Sequence, residues 1–177
     1  IFGKKGLACT ALLAIVLFFS ASVALAQQSF IIDPASSMTV SGTSSLHDWT
    51  SDVTKLNGSA QIAVQGNQIE SIDRLSLNIP VTSIKSGKSG MDKNTYEALK
   101  NDKHPEIKFQ LKQIKTNGSG QVNALGDLTI AGVTKSIEMP VKYSVEASSK
   151  VEFKGSISFK MSEFKIDPPT ALMGTVK

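Results

Sequence analysis

The sequence predicts an all-β protein: an antiparallel, up-and-down β-barrel of eight strands with one short helix, the eighth strand being expected to lie outside this chain. Three observations carry the prediction. Apolar and polar residues alternate with a period of two through most of the chain after Gln28, the mark of strands with one greasy and one wet face. Tight-turn dipeptides separate the alternating runs, and connections this short join neighbouring strands as hairpins. A single segment, 91–102, drops the alternation. Half-and-half strands belong to antiparallel sheets rather than to parallel sheets buried on both faces. Closure into a barrel then removes the two edges that an open sheet would expose.

The first element in the chain is an export signal. Leu7 to Ala26 carry no charge, follow Lys4 and Lys5, and end in Ala24-Leu25-Ala26; a basic start, an apolar stretch and a small-x-small ending make up a secretory signal peptide. Cleavage after Ala26 leaves a mature domain over 27–177, expected to work in the periplasm or outside the cell. A retained membrane anchor is the alternative, since about twenty residues suffice to span a bilayer. Cys9 precedes the apolar stretch instead of following it, unlike a lipoprotein cysteine. It is the only cysteine, so the mature domain has no disulfide.

Seven strands follow, near 37–42, 49–65, 69–84, 106–116, 120–131, 133–147 and 150–165. Leu75, Leu77, Ile79 and Val81 share one face of the third. Ile107, Phe109 and Leu111 do so in the fourth, Ile137, Met139, Val141, Tyr143 and Val145 in the sixth, and Val151, Phe153, Ile157, Phe159 and Met161 in the seventh. Turns are expected at Gly66-Asn67, Asn117-Gly118, Ala131-Gly132 and Ser148-Ser149. The second strand slips phase: Trp49 and Val53 are odd-numbered, whereas Leu56, Ala60, Ile62 and Val64 are even. A bulge near Asn57-Gly58 would restore a common face. Asn57-Gly58-Ser59 and Asn117-Gly118-Ser119 match a glycosylation sequon and are read as turns or bulges.

The segment Met91 to Asp102 predicts a short amphipathic helix lying across one end of the barrel. Asn94 and Glu97 form a plausible capping pair, Tyr96 and Leu99 share a side, and Pro105 ends the element by restricting His104. The chain begins at Ile1 and stops at Lys177, soon after Asp167-Pro168-Pro169-Thr170. Both ends are expected to be incomplete, with the closing strand in the missing part.

Composition excludes several functions. Without residues 1–26 the 19 basic residues become 17 against 15 acidic ones, a net charge of +2 that gives no basic face for nucleic acid. No later apolar run spans a bilayer, so no membrane insertion of the mature chain is expected, and nothing specifies an oligomeric state. Gly87-Lys88-Ser89 resembles the end of a phosphate loop but lacks its first glycine, where Thr82 stands. His47 and His104 are far apart, without metal-ligand spacing, and suit structural or rim positions. No Gly-x-Ser-x-Gly elbow exists. The sequence thus predicts neither catalysis, metal nor cofactor.

The mature chain resembles the YceI-like family of exported, lipocalin-like, polyisoprenoid-binding proteins over most of residues 30–177. The likeness runs through Phe30-Ile31-Ile32-Asp33-Pro34-Ala35-Ser36-Ser37, then Val40 to Trp49, then Ile72 to Ser83. It continues through His104-Pro105-Glu106-Ile107-Lys108-Phe109 and Gly126 to Lys135, and ends in Ser158 to Phe164. The resemblance implies an eight-stranded lipocalin-like barrel holding an isoprenoid chain, such as a polyprenyl phosphate or a quinone tail. Many members carry an arginine and a histidine near the helix start, where this chain has Met91 and Asn94.

An eight-stranded barrel is at the size where side chains fill the interior or one small ligand enters. The candidate lipid-binding lining is Trp49, Leu75, Leu77, Ile79, Phe109, Leu111, Leu128, Met139, Val141, Tyr143, Phe153, Ile157 and Phe159, with Tyr96 and Leu99 over the mouth. Plain core packing is the alternative for each. Phe164 and Ile166 fit either role. The leading expectation is an exported carrier or sequestering protein for an isoprenoid lipid. The alternatives are a non-catalytic envelope module with a solid barrel and, on fold analogy alone, a small-molecule enzyme.

Overall fold

The structure is a computed structural model and describes residues 27–43, 48–118, 120–146, 150–168, 170–171 and 174–175. The export segment 1–26, His47 and the Ser148-Ser149 turn lie outside the described residues.

The alternating runs form β1 (Gln28–Ile31), β2 (Thr39–Gly42), β3 (Trp49–Val53), β4 (Asn57–Gln65), β5 (Gln68–Pro80) and β6 (Ile84–Lys85). After helix α1 (Ser89–Ala98) come β7 (Glu106–Thr116), β8 (Gln121–Ile130), β9 (Val133–Glu146), β10 (Lys150–Gly155), β11 (Thr170–Ala171) and β12 (Gly174–Thr175). Seven strands make one sheet in the order β1-β4-β5-β7-β8-β9-β10, with β2-β3-β6 and β11-β12 as smaller ladders. Every pairing is antiparallel. The large sheet curls into a nearly closed barrel, with β1 and β10 facing each other across a lateral seam. Seven long strands in simple succession are therefore not what forms. The first predicted strand shortens to β2 and, with part of the second, leaves the main sheet.

The second predicted strand breaks into β3 and β4, which belong to different sheets. The corner at Thr54-Lys55 is fastened to Ser83. Thr54 N–H and Oγ1 both donate to the Ser83 carbonyl at 2.9 Å, and the Ser83 hydroxyl lies between two carbonyl acceptors, Pro80 O at 2.7 Å and Lys55 O at 3.1 Å. These bonds satisfy backbone groups that a continuous ladder would otherwise have paired. Nor does the phase slip occur at Asn57-Gly58, which pair regularly with Asn78 and Leu77 within β4. The register shifts instead lie between Gln61 and Ile62 and between Ala63 and Val64. The unmatched residues are Asp73 and Glu70 of β5, and between these two bulges, where the local twist increases, consecutive Ile62 and Ala63 of β4 are both buried. A third shift, around Lys112, brings Ile114 onto the face of Leu111.

Two ends of the barrel differ. The Gly66-Asn67 and Asn117-Gly118 turns share one end, packed around Ile62, Ile69, Val122 and Tyr143, all at most 8% exposed. There the Ile69 N–H points to the Tyr143 hydroxyl at 3.4 Å. At the other end lies the Ala131-Gly132 hairpin, with φ of 49° and 80°, the two positive values a tight primed turn requires. Gly132 is seated against the His104 ring: a Cβ there would lie 2.5 Å from Cε1 and Nε2.

Helix α1 begins and ends at least two residues earlier than predicted, and Asn94 and Glu97 do not cap it. Asp92, in the first turn, reaches back to Ser86, accepting from its N–H at 2.8 Å and its Oγ at 2.6 Å. At the far end Lys100 adopts φ 56°, Lys100 N–H donates to Glu97 O, and Asn101 N–H donates to Tyr96 O. That pair of bonds is a Schellman stop with lysine where glycine is usual. The last predicted strand ends at Gly155 instead of residue 165. Residues 161–164 turn as a 3-10 helix that drives Phe164 and, just beyond, Ile166 into the core.

Candidate functional site: the barrel hollow

The inner faces of the strands surround a partly open hollow of about 2390 Å³, well above the roughly 300–1,000 Å³ of ordinary ligand clefts. It forms because the alternation on each strand sends one apolar face inward, while the narrow end alone is filled tightly. From β5 come Leu75, Leu77 and Ile79; from β7, Phe109 and Leu111; from β8, Leu128; from β9, Met139 and Val141. Phe153 of β10, Ile157 and Phe159 beyond it, Trp49 of β3 and Leu99 after α1 complete the predicted set that lines it. Phe159 is still 41% exposed and meets Phe164 edge to face, centroids 4.9 Å apart.

Two predicted residues sit elsewhere. Tyr143 packs in the closed end beside Ile69 and Gly118, not in the main hollow. Tyr96 is half-buried away from the hollow, where its hydroxyl donates within reach of the Thr82 and Ile84 carbonyls, both at 3.0 Å, and accepts from Lys85 Nζ at 2.7 Å. A phenol needs polar partners when it packs, and these lie on the β5–β6 connection. Spacing had put Tyr96 beside Leu99, but α1 instead presents Met91, Asn94, Thr95, Ala98 and Leu99 to the hollow.

Sequence reasoning also missed Ala60, Ile62 and Ile72 on β4 and β5, Ile107 and Ile114 on β7, Val122, Ala124 and Ile130 on β8, and Ile137 and Val151. Ile107, Ile137 and Val151 share the inward alternation of predicted neighbours, so the signal was present. Ile72 and Ile114 follow register shifts and could not be phased from the chain.

Two close approaches shape the wall. The Trp49 indole lies over Gly42 in the neighbouring strand, and its buried Nε1 has no hydrogen-bond partner among the described residues. The Phe109 ring lies over Gly126, where a Cβ would meet Phe109 Cζ at 2.5 Å.

Polar groups at the helix end are tied to one another. Hydrogen bonds from the Ser86 hydroxyl and N–H, helped by the nearby Lys85 charge, hold the Asp92 carboxyl below the usual carboxylate range. The Tyr96 hydroxyl, followed by the charges around it, raises Lys85 above the usual ammonium value. Among the described residues no three His, Cys, Asp or Glu side chains gather as a metal site, and no helix is long and apolar enough to cross a membrane.

A protein-family model described as "YceI-like domain" matches residues 30–177. A UPF0312 protein of Ectopseudomonas mendocina is 27% identical over 100 residues, 52% of each chain; the match spans about half the length of that curated relative. Among solved structures, Burkholderia cenocepacia BcnA superposes with a TM-score of 0.65 at 20% identity, over 78% of this chain and 86% of that one. A polyisoprenoid binding domain from Saccharophagus degradans, implicated in plant cell wall breakdown, does so with a TM-score of 0.62 at 12% identity, over 80% and 82%. At these identities the structural likeness is one of fold. With the family model covering nearly all of the described barrel, the chain belongs to the YceI-like domain family.

Proposed function

We propose that this protein is an exported, non-catalytic binding protein that holds an isoprenoid-type lipid inside the barrel, for carriage or sequestration. The observation that carries the reading is the large apolar hollow, lined by inward side chains from nearly every strand of the main sheet. The polyisoprenoid binding domain from Saccharophagus degradans, of like fold, supports the same reading. Export rests on Lys4, Lys5 and the uncharged stretch to Ala26.

Such a site needs no polar contact for affinity. Each buried CH₂ contributes about 0.8 kcal/mol, so one five-carbon prenyl unit contributes a gross of about 4 kcal/mol. A few units outweigh an association cost of about 4–15 kcal/mol. Length and width of the hollow would set selectivity, and no catalytic constellation is required. A solid structural module is the weaker reading, because a module has no use for an unfilled centre of this size.

Native mass spectrometry of the purified full chain tests the reading. A co-isolated prenyl lipid, or retention of added geranylgeraniol, is the expected result. A bare protein mass that persists after incubation with geranylgeraniol would refute it.

A further inference from the structure

We propose that the hollow takes an isoprenoid lipid whose polar head is uncharged, such as a quinone, ketone or alcohol, and discriminates against prenyl phosphates and diphosphates. This deepens the lipid-binding reading above and rests on it.

The α1 end offers the hollow the amide of Asn94 and the hydroxyl of Thr95 among Met91, Ala98 and Leu99. An amide and a hydroxyl each donate and accept, which suits a carbonyl or an alcohol. None of the basic groups at this end, Lys85, Lys88, Lys93, Lys100, Lys103 and His104, lines the hollow, and three of the lysines are engaged elsewhere. Lys85 donates to the Tyr96 hydroxyl and lies 3.9 Å from Asp92, Lys93 lies 3.9 Å from Glu97, and Lys100 Nζ donates to the Lys165 carbonyl at 3.3 Å. The positive end of the helix dipole already faces a carboxylate, since Asp92 stands in the first turn.

Around the hollow the charges balance. Asp33, Asp48 and Glu152 line the hollow, and so do Lys150, Lys154 and Lys160: three acids against three bases among the described residues. Two of those lysines already have acidic partners, Lys154 with Glu152 at 2.9 Å and Lys150 with Glu146 at 3.4 Å. A phosphate carries between one and two negative charges at neutral pH, and it binds well only where charge-assisted donors converge on it. Seated beside Asn94 and Thr95, it would exchange its hydration for two neutral contacts. A buried anion without a cation is strongly disfavoured. An alcohol or carbonyl in the same place loses far less.

The test uses two probes that share a tail, geranylgeraniol and geranylgeranyl diphosphate, each titrated into the full chain below its micelle concentration. Calorimetry and the fluorescence of Trp49, the only tryptophan, report binding. The alcohol is expected to bind at least about tenfold more tightly, a difference of about 1.4 kcal/mol. Asn94→Arg brings a guanidinium to the mouth from an exposed helix position. It should tighten the diphosphate about tenfold while leaving the alcohol within about twofold. A native chain that binds the diphosphate as tightly as the alcohol overturns this inference but leaves the lipid-binding reading standing. A folded Asn94→Arg chain with an unchanged preference overturns the placement of the head at α1. If neither probe binds by either measurement, the lipid-binding reading itself falls.

Discussion

Gly126→Ala is the sharpest probe of how the barrel wall is built. The added methyl would lie 2.5 Å from Phe109 Cζ, 2.6 Å from Cε2 and 2.7 Å from the Gln110 carbonyl oxygen. Carbon atoms rest at about 3.5–4.0 Å, so both ring contacts fall short by about an ångström. The ring can escape, because Phe109 borders the hollow. The carbonyl cannot, because Gln110 pairs with Ser76 on one side and Asp127 on the other. Overpacking of this kind costs about 1–3 kcal/mol, or roughly 2–12 °C in Tm for a domain of this size. Escape also swings the ring into the hollow, so uptake of a prenyl probe should weaken. Phe109→Ala serves as the control: it removes the ring side of the clash and leaves the carbonyl side. The double variant should therefore be less destabilised than the sum of the singles, with a coupling of about 0.5–3 kcal/mol. Thermal melts of the four proteins measure this. A Gly126→Ala chain with unchanged Tm, or strictly additive costs, would refute the seating of Phe109 on Gly126.

Two further predictions follow from local chemistry. Lys100→Gly relieves the left-handed strain at the Schellman position and should stabilise by about 0.5–1 kcal/mol after the greater freedom of glycine in the unfolded chain is subtracted; urea midpoints at constant slope would show it, and a lower midpoint would contradict it. Asp92 has a depressed carboxyl in the folded state, so its contribution is present above the unfolded carboxylate value near pH 4 and is lost as pH falls through the lower folded value. Melts of Asp92→Asn and the native chain between pH 7 and 2 should accordingly converge at the acid end, and a Tm gap independent of pH would count against the Ser86 and Lys85 contacts.

The sequence alone determined the period of the strands, and with it the antiparallel class, the single helix and the apolar inner face. Alternation is a local property: each residue's neighbours two positions away state which side it takes. Leu75, Leu77, Ile79, Phe109 and Leu111 could be assigned to one interior for that reason. The YceI-like membership was legible in the same way, from ordered motifs between Phe30 and Phe164. What only the tertiary structure decided was where alternation stops being reliable. Thr54 and Lys55 turn a corner because Ser83, some thirty residues away, supplies their hydrogen-bond partners. Tyr96 leaves the mouth because the Thr82 and Ile84 carbonyls capture its hydroxyl. The shifts at Ile62 and Lys112 depend on the partner strand's register, which no single strand encodes. The hollow belongs to the same class of facts. Whether inward side chains meet or stand apart depends on the curvature of the whole sheet, and that is a sum over many pairings rather than a property of any one residue.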